Sequence, residues 1–434
     1  MVRILYGQTV KRVLYGRDIK EFSPKDYDRA IVSLPGACVD RRARLSLTEE
    51  HLSKGGGFIG ATGTGKTYCI RRMMSELRVK SGNYSMVVVQ AKDDFEDMFR
   101  EGDLILEQGI NSNKSIKWNL FKDILADGYD LNMIELNARQ FVKHLFSYKD
   151  NTNEPFFVEG ASELLYCIII SLIKLGMNNL HERQNWTNGG LKRFFLNFTE
   201  SDYIRIINNC GEPGVLNRIL GTETDNKQAI GVWGELVTTA LQTLVDVFAE
   251  NGDFSIREFV RNKNNQVLFI NYDTSYKDTQ IKIFGSMINL MLNEVLSRNS
   301  NAGSVYLICD ELPVIGKIDI AQAVNVGRAK GLKAMIGCQS IEQVYSIYGQ
   351  EDGRTLLAGL CTKLYFKPND FTTRQYMQDD FGKEIADYIT MSPGGCYSNR
   401  REGYVIEDFY INEMQTGECF VNIYDGTRFK FKVD

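Results

Sequence analysis

Apolar residues along this chain follow two recurring patterns. One is a short unbroken run closed by polar turns: 86–90 (MVVVQ), 266–271 (QVLFIN), 305–309 (VYLIC), 334–338 (AMIGC) and 363–366 (KLYF). Runs of this length, rich in β-branched or aromatic residues, predict strands buried on both faces. The other repeats every third or fourth position, as in 280–297, where Ile281, Phe284, Ile288, Met291 and Val295 line one helical face. Alternation of the two predicts an α/β fold, a mostly parallel sheet with helices on both sides. Residues 418–424 and 427–433 flank Asp425-Gly426 and predict a C-terminal β-hairpin on a sheet edge. Between about 131 and 250 the alternation stops. Helical patterns without strand signal predict an all-α insertion there.

Residues 60–67 read GATGTGKT and match the phosphate-loop (Walker A) pattern G-x-x-x-x-G-K-[ST] at every fixed position. Phe58 and Ile59 precede the motif and a helical pattern over 68–77 follows, the strand–loop–helix context it needs. Gly60, Gly63 and Gly65 allow a tight turn whose N–H groups face phosphate oxygens; Ala61, Thr62 and Thr64 complete the loop. The helix that follows, through Tyr68, directs its positive end at the same anion. Lys66 is expected to reach the β/γ-phosphates and Thr67 to ligate Mg²⁺. The expected ligands are therefore ATP and Mg²⁺.

A phosphate loop needs an acidic partner at a nearby strand end. The run 305–309 is followed by Asp310-Glu311. Asp310 is placed to hold Mg²⁺ with Thr67, and Glu311 to orient or activate the attacking water. Gln339 follows the run 334–338 and suits sensing of the γ-phosphate or the water. Arg328 lies between these runs and suits an arginine finger acting on a neighbour's nucleotide. Asp93 and Asp94 follow 86–90 and read as solvated loop acids. Trp118 reads as a packing residue.

Composition narrows the class. With 51 basic and 55 acidic side chains the net charge is −4, which excludes a strongly basic coat but not a local basic groove. Residues 1–54 hold 11 basic and 7 acidic side chains, suited to nucleic acid, an acidic lipid surface or a neighbouring subunit, and most often simply solvated. Residues 151–250 hold 7 basic and 12 acidic side chains. Nine cysteines without C-x-x-C spacing suit a reducing cytosol, and three dispersed histidines offer no zinc pattern. The most apolar run, 164–173, is shorter than the roughly 20 residues needed to span a bilayer and reads as a buried helix.

Residues 305–350, with Asp310-Glu311-Leu312-Pro313, Gly327-Arg328, Gly331, Gln339-Ser340 and Tyr348-Gly349, resemble the ATPase domain of conjugative, type IV secretion coupling proteins of the TraD/TraG type, in the FtsK/HerA superfamily. Glu154-Pro155-Phe156-Phe157 is similar to the opening of that family's all-α domain. The resemblance implies a RecA-like P-loop NTPase assembling as a hexameric homo-oligomer around DNA bound without sequence readout. Lys66, Thr67, Asp310, Glu311, Arg328 and Gln339 carry over as nucleotide-site residues. Family members usually begin with transmembrane helices, and the opening MVRILYGQTVKRVLYG shows no such span.

The expected organisation is a basic N-terminal segment at 1–54, a RecA-like nucleotide-binding domain at 55–130 and 251–434, and the all-α insertion at 131–250. The leading expectation is a cytoplasmic, ATP-hydrolysing DNA translocase, with any membrane association through a partner such as a secretion channel, and with a relaxase or nuclease as further partner. Two alternatives are a soluble ATPase of a mobile-element or defence system working with a nuclease or effector, and an ATP-regulated platform recruiting protein cargo.

Overall fold

The computed structural model describes residues 9–16, 18–19, 23–39, 41–91, 94–107, 115–147, 155–197, 199, 210, 227–240, 248, 250–272, 277–297, 302–392 and 395–434. Asp93 and Glu154 lie outside them. The strands in chain order are β1 (Thr9–Tyr15), β2 (Ala30–Cys38), β3 (Arg41–Thr48), β4 (Gly56–Ile59), β5 (Tyr84–Gln90), β6 (Leu104–Glu107), β7 (Gln266–Asn271), β8 (Ser304–Cys309), β9 (Leu332–Cys338), β10 (Thr362–Phe366), β11 (Lys383–Ser392), β12 (Gly395–Tyr404), β13 (Glu418–Asn422) and β14 (Arg428–Val433). The chain divides into two compact units.

The first unit comprises Met1–Gly82, Leu307–Pro313 and Leu332–Asp434. Its strands run in the order β3-β2-β14-β13-β10-β4-β9, with the end of β8 next to β9. β4 pairs in parallel with β9 on one side and β10 on the other. All three are buried along their whole length, as expected of central parallel strands covered on both faces. Beyond β10 the pairing turns antiparallel through β13, β14, β2 and β3. The 418–433 region forms the expected hairpin, closed by Gly426 N–H to Ile423 O at 2.9 Å.

Residues 1–54, read above as a basic segment, contribute sheet structure. In β2, Val32 and Leu34 are buried while Ser33 and Pro35 are half-buried, the period-2 pattern of a strand with one face on the core. The helix Lys66–Lys80 packs on β2 and buries Cys69, Ile70, Met73, Met74 and Leu77. A second, three-stranded antiparallel sheet, β1-β11-β12, completes the unit, and β12 is mostly exposed.

The second unit comprises Asn83–Tyr306 and Val314–Gly331. Here β5, β7 and β6 form a parallel set. The run 164–173 is buried at every position. It lies inside a 24-residue helix, Pro155–Asn178, long and apolar enough to cross a membrane by length and composition; within this unit it packs against helices Leu131–Phe146 and Lys227–Leu236. The helix Lys277–Leu296 is buried all round from 283 to 292 rather than along one face, because helices Leu131–Phe146, Ile256–Asn262 and Ile320–Val326 all lean on it.

One buried cluster of polar groups inside this unit is paired internally. Arg257 and Arg261 each bridge Asp127 and Glu294 at 2.6–2.9 Å. Asp123 accepts from Trp118 Nε1 at 2.6 Å, Ser255 Oγ at 2.6 Å and Arg257 N at 3.0 Å. Trp118 is thus a packing residue with its N–H paired. Burial raises the Asp123 carboxyl to about 6 despite these donors.

Candidate functional site

The site is built at the C-terminal ends of the parallel strands of the first unit. β4 ends at Ile59 and the loop 60–65 leads into the helix at Lys66. Neighbouring strand ends fasten the loop: Gly60 N–H donates to Cys338 O at 3.2 Å, and Ala61 N–H to Lys367 O at 3.0 Å. At Gly60 a side chain is impossible without movement, since a Cβ would lie 2.8 Å from the Phe366 backbone. Gly63 has φ +75°, and a Cβ there would meet nothing within 4 Å, so it borders an open cradle.

Lys66 is buried, and its Nζ donates to the carbonyls of Gly60 and Ala61 within its own loop. The ammonium is thereby held over the mouth of the turn. Thr67 Oγ1 donates to Asp310 Oδ2 at 2.7 Å. A hydroxyl and a carboxylate side by side are the hard oxygen donors that Mg²⁺ prefers. Glu311 follows, held by hydrogen bonds from the side chain and backbone of Gln339. Burial raises its carboxyl above the usual range; the Gln339 bonds and the Lys66 charge pull it down, and Asp310 pushes it up. Its Oε1 is buried without a hydrogen-bond partner, an acceptor directed at whatever occupies the space beside it.

The structure therefore brings together Gly60 to Thr67, Asp310, Glu311 and Gln339 in one unit. Thr62 is exposed in the loop, and Thr64 Oγ1 donates to Ala61 O at 2.7 Å. Tyr68 is 46% exposed, and its OH donates to Asp434 O at 2.7 Å. Arg328 belongs to the second unit, exposed in the 3₁₀ turn Gly327–Lys330. Asp94 is exposed as expected of a loop acid.

Two positions of this site escape the motif. Lys367, just past β10, supplies the carbonyl that pins Ala61, and Gly417, just before β13, donates its N–H to Thr64 O at 2.9 Å. Both act through backbone atoms, which leave no mark on residue identity. The glycine before an apolar run, with φ +84°, was the one available signal.

The family model of the type IV secretion-system coupling protein DNA-binding domain matches residues 41–409. The chain belongs to this family. Among solved coupling proteins, the unbound monoclinic form of TrwBdeltaN70 is 17% identical with a TM-score of 0.73, covering 100% of this chain and 93% of that one. The plasmid coupling protein TrwB in complex with ADP and Mg²⁺ is 17% identical with a TM-score of 0.70, covering 95% of this chain and 96% of that one. VirB4 of Thermoanaerobacter pseudethanolicus is 12% identical with a TM-score of 0.56. At such identities the likeness establishes the fold, a RecA-like P-loop α/β architecture. Coupling protein TraD of Escherichia coli (strain K12) is 23% identical over 141 residues, 31% of this chain and 20% of TraD, so the chain spans a fifth of the length of that relative.

Proposed function

We propose that this coupling-protein chain is an ATP-hydrolysing motor that moves DNA. The observation that carries the reading is the 2.7 Å bond between Thr67 and Asp310, which brings the phosphate-loop hydroxyl to the strand-end carboxylate. The open cradle at Gly63, the buried acceptor of Glu311 and the oxygen donors of Thr67 and Asp310 fit a nucleoside triphosphate with Mg²⁺. Bound there, the metal ion would neutralise charge on the phosphates.

The chain's own groups then have distinct tasks. Backbone N–H groups of 62–67 and the helix end orient the phosphates. Lys66 turns its ammonium from the loop carbonyls to phosphate oxygens. Glu311 orients the attacking water and takes its proton, and Gln339 keeps that carboxylate aimed. Arg328 acts on the nucleotide of a neighbouring subunit in a ring of identical chains, six in number. DNA passes through this ring, held through its phosphate backbone without sequence readout. The DNA-binding description of the family supports this last element.

The test is ATP turnover of the full chain with and without single- and double-stranded DNA. Turnover is expected to rise with DNA. It should fall about 10²–10³-fold in Lys66→Ala, with loss of nucleotide binding, and in Glu311→Gln, with binding kept. Normal turnover in Lys66→Ala would show that the site lies elsewhere.

A further inference from the structure

We propose that His144 and Asn289 are positioning residues for Arg328: they lock the start of the short arm that carries it, so that the guanidinium meets the nucleotide of a neighbouring subunit. This role rests on the reading of Arg328 given above and ties that arginine to the helix Leu131–Phe146.

The arm consists of the helix Ile320–Val326, seven residues long, and the 3₁₀ turn Gly327–Lys330. Both pack on the helix Lys277–Leu296. Ile320, Ala323 and Val324 are buried in that contact, whereas Val326 and Arg328 are exposed on the outer side. The far end is pinned through backbone atoms. Val305 N–H donates to Gly331 O at 2.9 Å, and a Cβ on Gly331 would press on Gly303 O.

The near end is anchored by side chains from two other helices. Asp319 stands where a capping side chain is expected, yet it makes no capping bond. Instead its N–H donates to Asn289 Oδ1 at 2.8 Å, and its Oδ2 lies 3.6 Å from His144 Nε2. The Asp319 N–H fixes the orientation of the Asn289 amide, so Nδ2 is the donor to His144 Nδ1 at 3.1 Å. Nδ1 then carries the lone pair and Nε2 the proton, facing Asp319. Asn293 Nδ2 lies 3.5 Å from the same Nε2. Burial, helped by Lys143, holds the ring below its ordinary range and so neutral, against the pull of Asp319. Asn289 is buried, so the bridge is sheltered from water.

The imidazole thus fixes a carboxamide, and the carboxamide fixes the residue from which the arm starts. Without the ring, Asn289 Nδ2 loses its acceptor and the start of the arm can shift. One short helix passes that shift to Arg328. A misplacement of about 1 Å in a catalytic group can cost roughly 10²-fold in rate.

The experiment mixes two inactive full chains, so that turnover arises only where the arm of one faces the loop of the other. The acceptor carries Arg328→Ala and the donor Lys66→Ala. ATP turnover should return in this mixture; if it does not, the arginine reading fails and the proposal with it. Adding His144→Ala to the donor should lower the restored turnover at least about tenfold with KM unchanged. Adding it to the acceptor, whose arm has no arginine, should change nothing. His144→Gln in the donor keeps an acceptor for Asn289 and should keep most of the activity. Equal losses whichever protein carries His144→Ala would overturn the proposal, as would a donor whose activity ignores the substitution or is not rescued by glutamine. So would a His144→Ala donor that no longer co-purifies with a tagged acceptor, since the residue would then serve assembly and not the arginine.

Discussion

Gln339 holds the carboxylate of Glu311 from two directions, through its carboxamide and its backbone. The two residues follow different strands, β9 and β8, and meet because those strands are neighbours. This contact works against burial in deciding how readily Glu311 takes up a proton. Burial, the largest influence, raises its carboxyl above the ordinary value of 4.5. A base must be ionised to work, so the acid limb of the pH–rate profile should lie above that value. Gln339→Ala removes donors that favour the charged form and should move the limb to still higher pH. The pH dependence of kcat/KM, which reports the free enzyme, checks the direction. A limb that stays in place would show that another group limits the rate.

Arg328 and the phosphate loop should work from different subunits. Arg328→Ala is expected to lower turnover by about 10³-fold with nucleotide binding kept. Lys66→Ala alone is expected to be nearly inactive as well. Mixing the two proteins creates boundaries where an intact arginine faces an intact loop, and part of the activity should return. An inactive mixture would place the arginine's action within its own chain.

Gly60 and Gly63 should respond differently to alanine. At Gly60 the new methyl would press on Phe366 at 2.8 Å, and stability should fall by about 1–3 kcal/mol in urea unfolding. At Gly63 space is open, but φ is +75°, so the cost should be nearer 1 kcal/mol and the main effect weaker nucleotide binding. Equal stability losses at the two positions would contradict the packing described.

Asp123 makes the stability of the second unit depend on pH. Its carboxyl is raised from 3.8 to about 6, so the folded state holds the proton more tightly than the unfolded chain. The contribution is fully present below 3.8 and disappears as pH climbs through about 6. Two units correspond to about 3 kcal/mol. The wild-type-minus-Asp123→Asn difference in unfolding free energy should therefore fall by about that amount across this window. A difference independent of pH would mean that the carboxyl titrates normally.

Much was legible in the sequence because it is encoded locally. The turn at 60–67 needs its glycines, lysine and threonine within eight positions, and the motif declares them. The doublet Asp310-Glu311 closes an apolar run, so its place at a strand end could be read from neighbours alone. The central strands announce themselves by continuous burial, and the 418–433 hairpin by its Asp-Gly turn.

Tertiary structure decided what depends on distant partners. β2 and β3 sit in a stretch whose arginines and proline obscure their alternation, and they become strands by pairing with each other and with β14, from the far end of the chain. β12 is mostly exposed, and neither it nor β11 carries a long apolar run to betray it. Gly417 touches Thr64 only through backbone atoms. A residue's own chemistry and that of its near neighbours determine which short elements and motifs can form. Which of them come to share a surface is decided by pairings and packing across hundreds of residues, because no single segment contains both sides of such a contact.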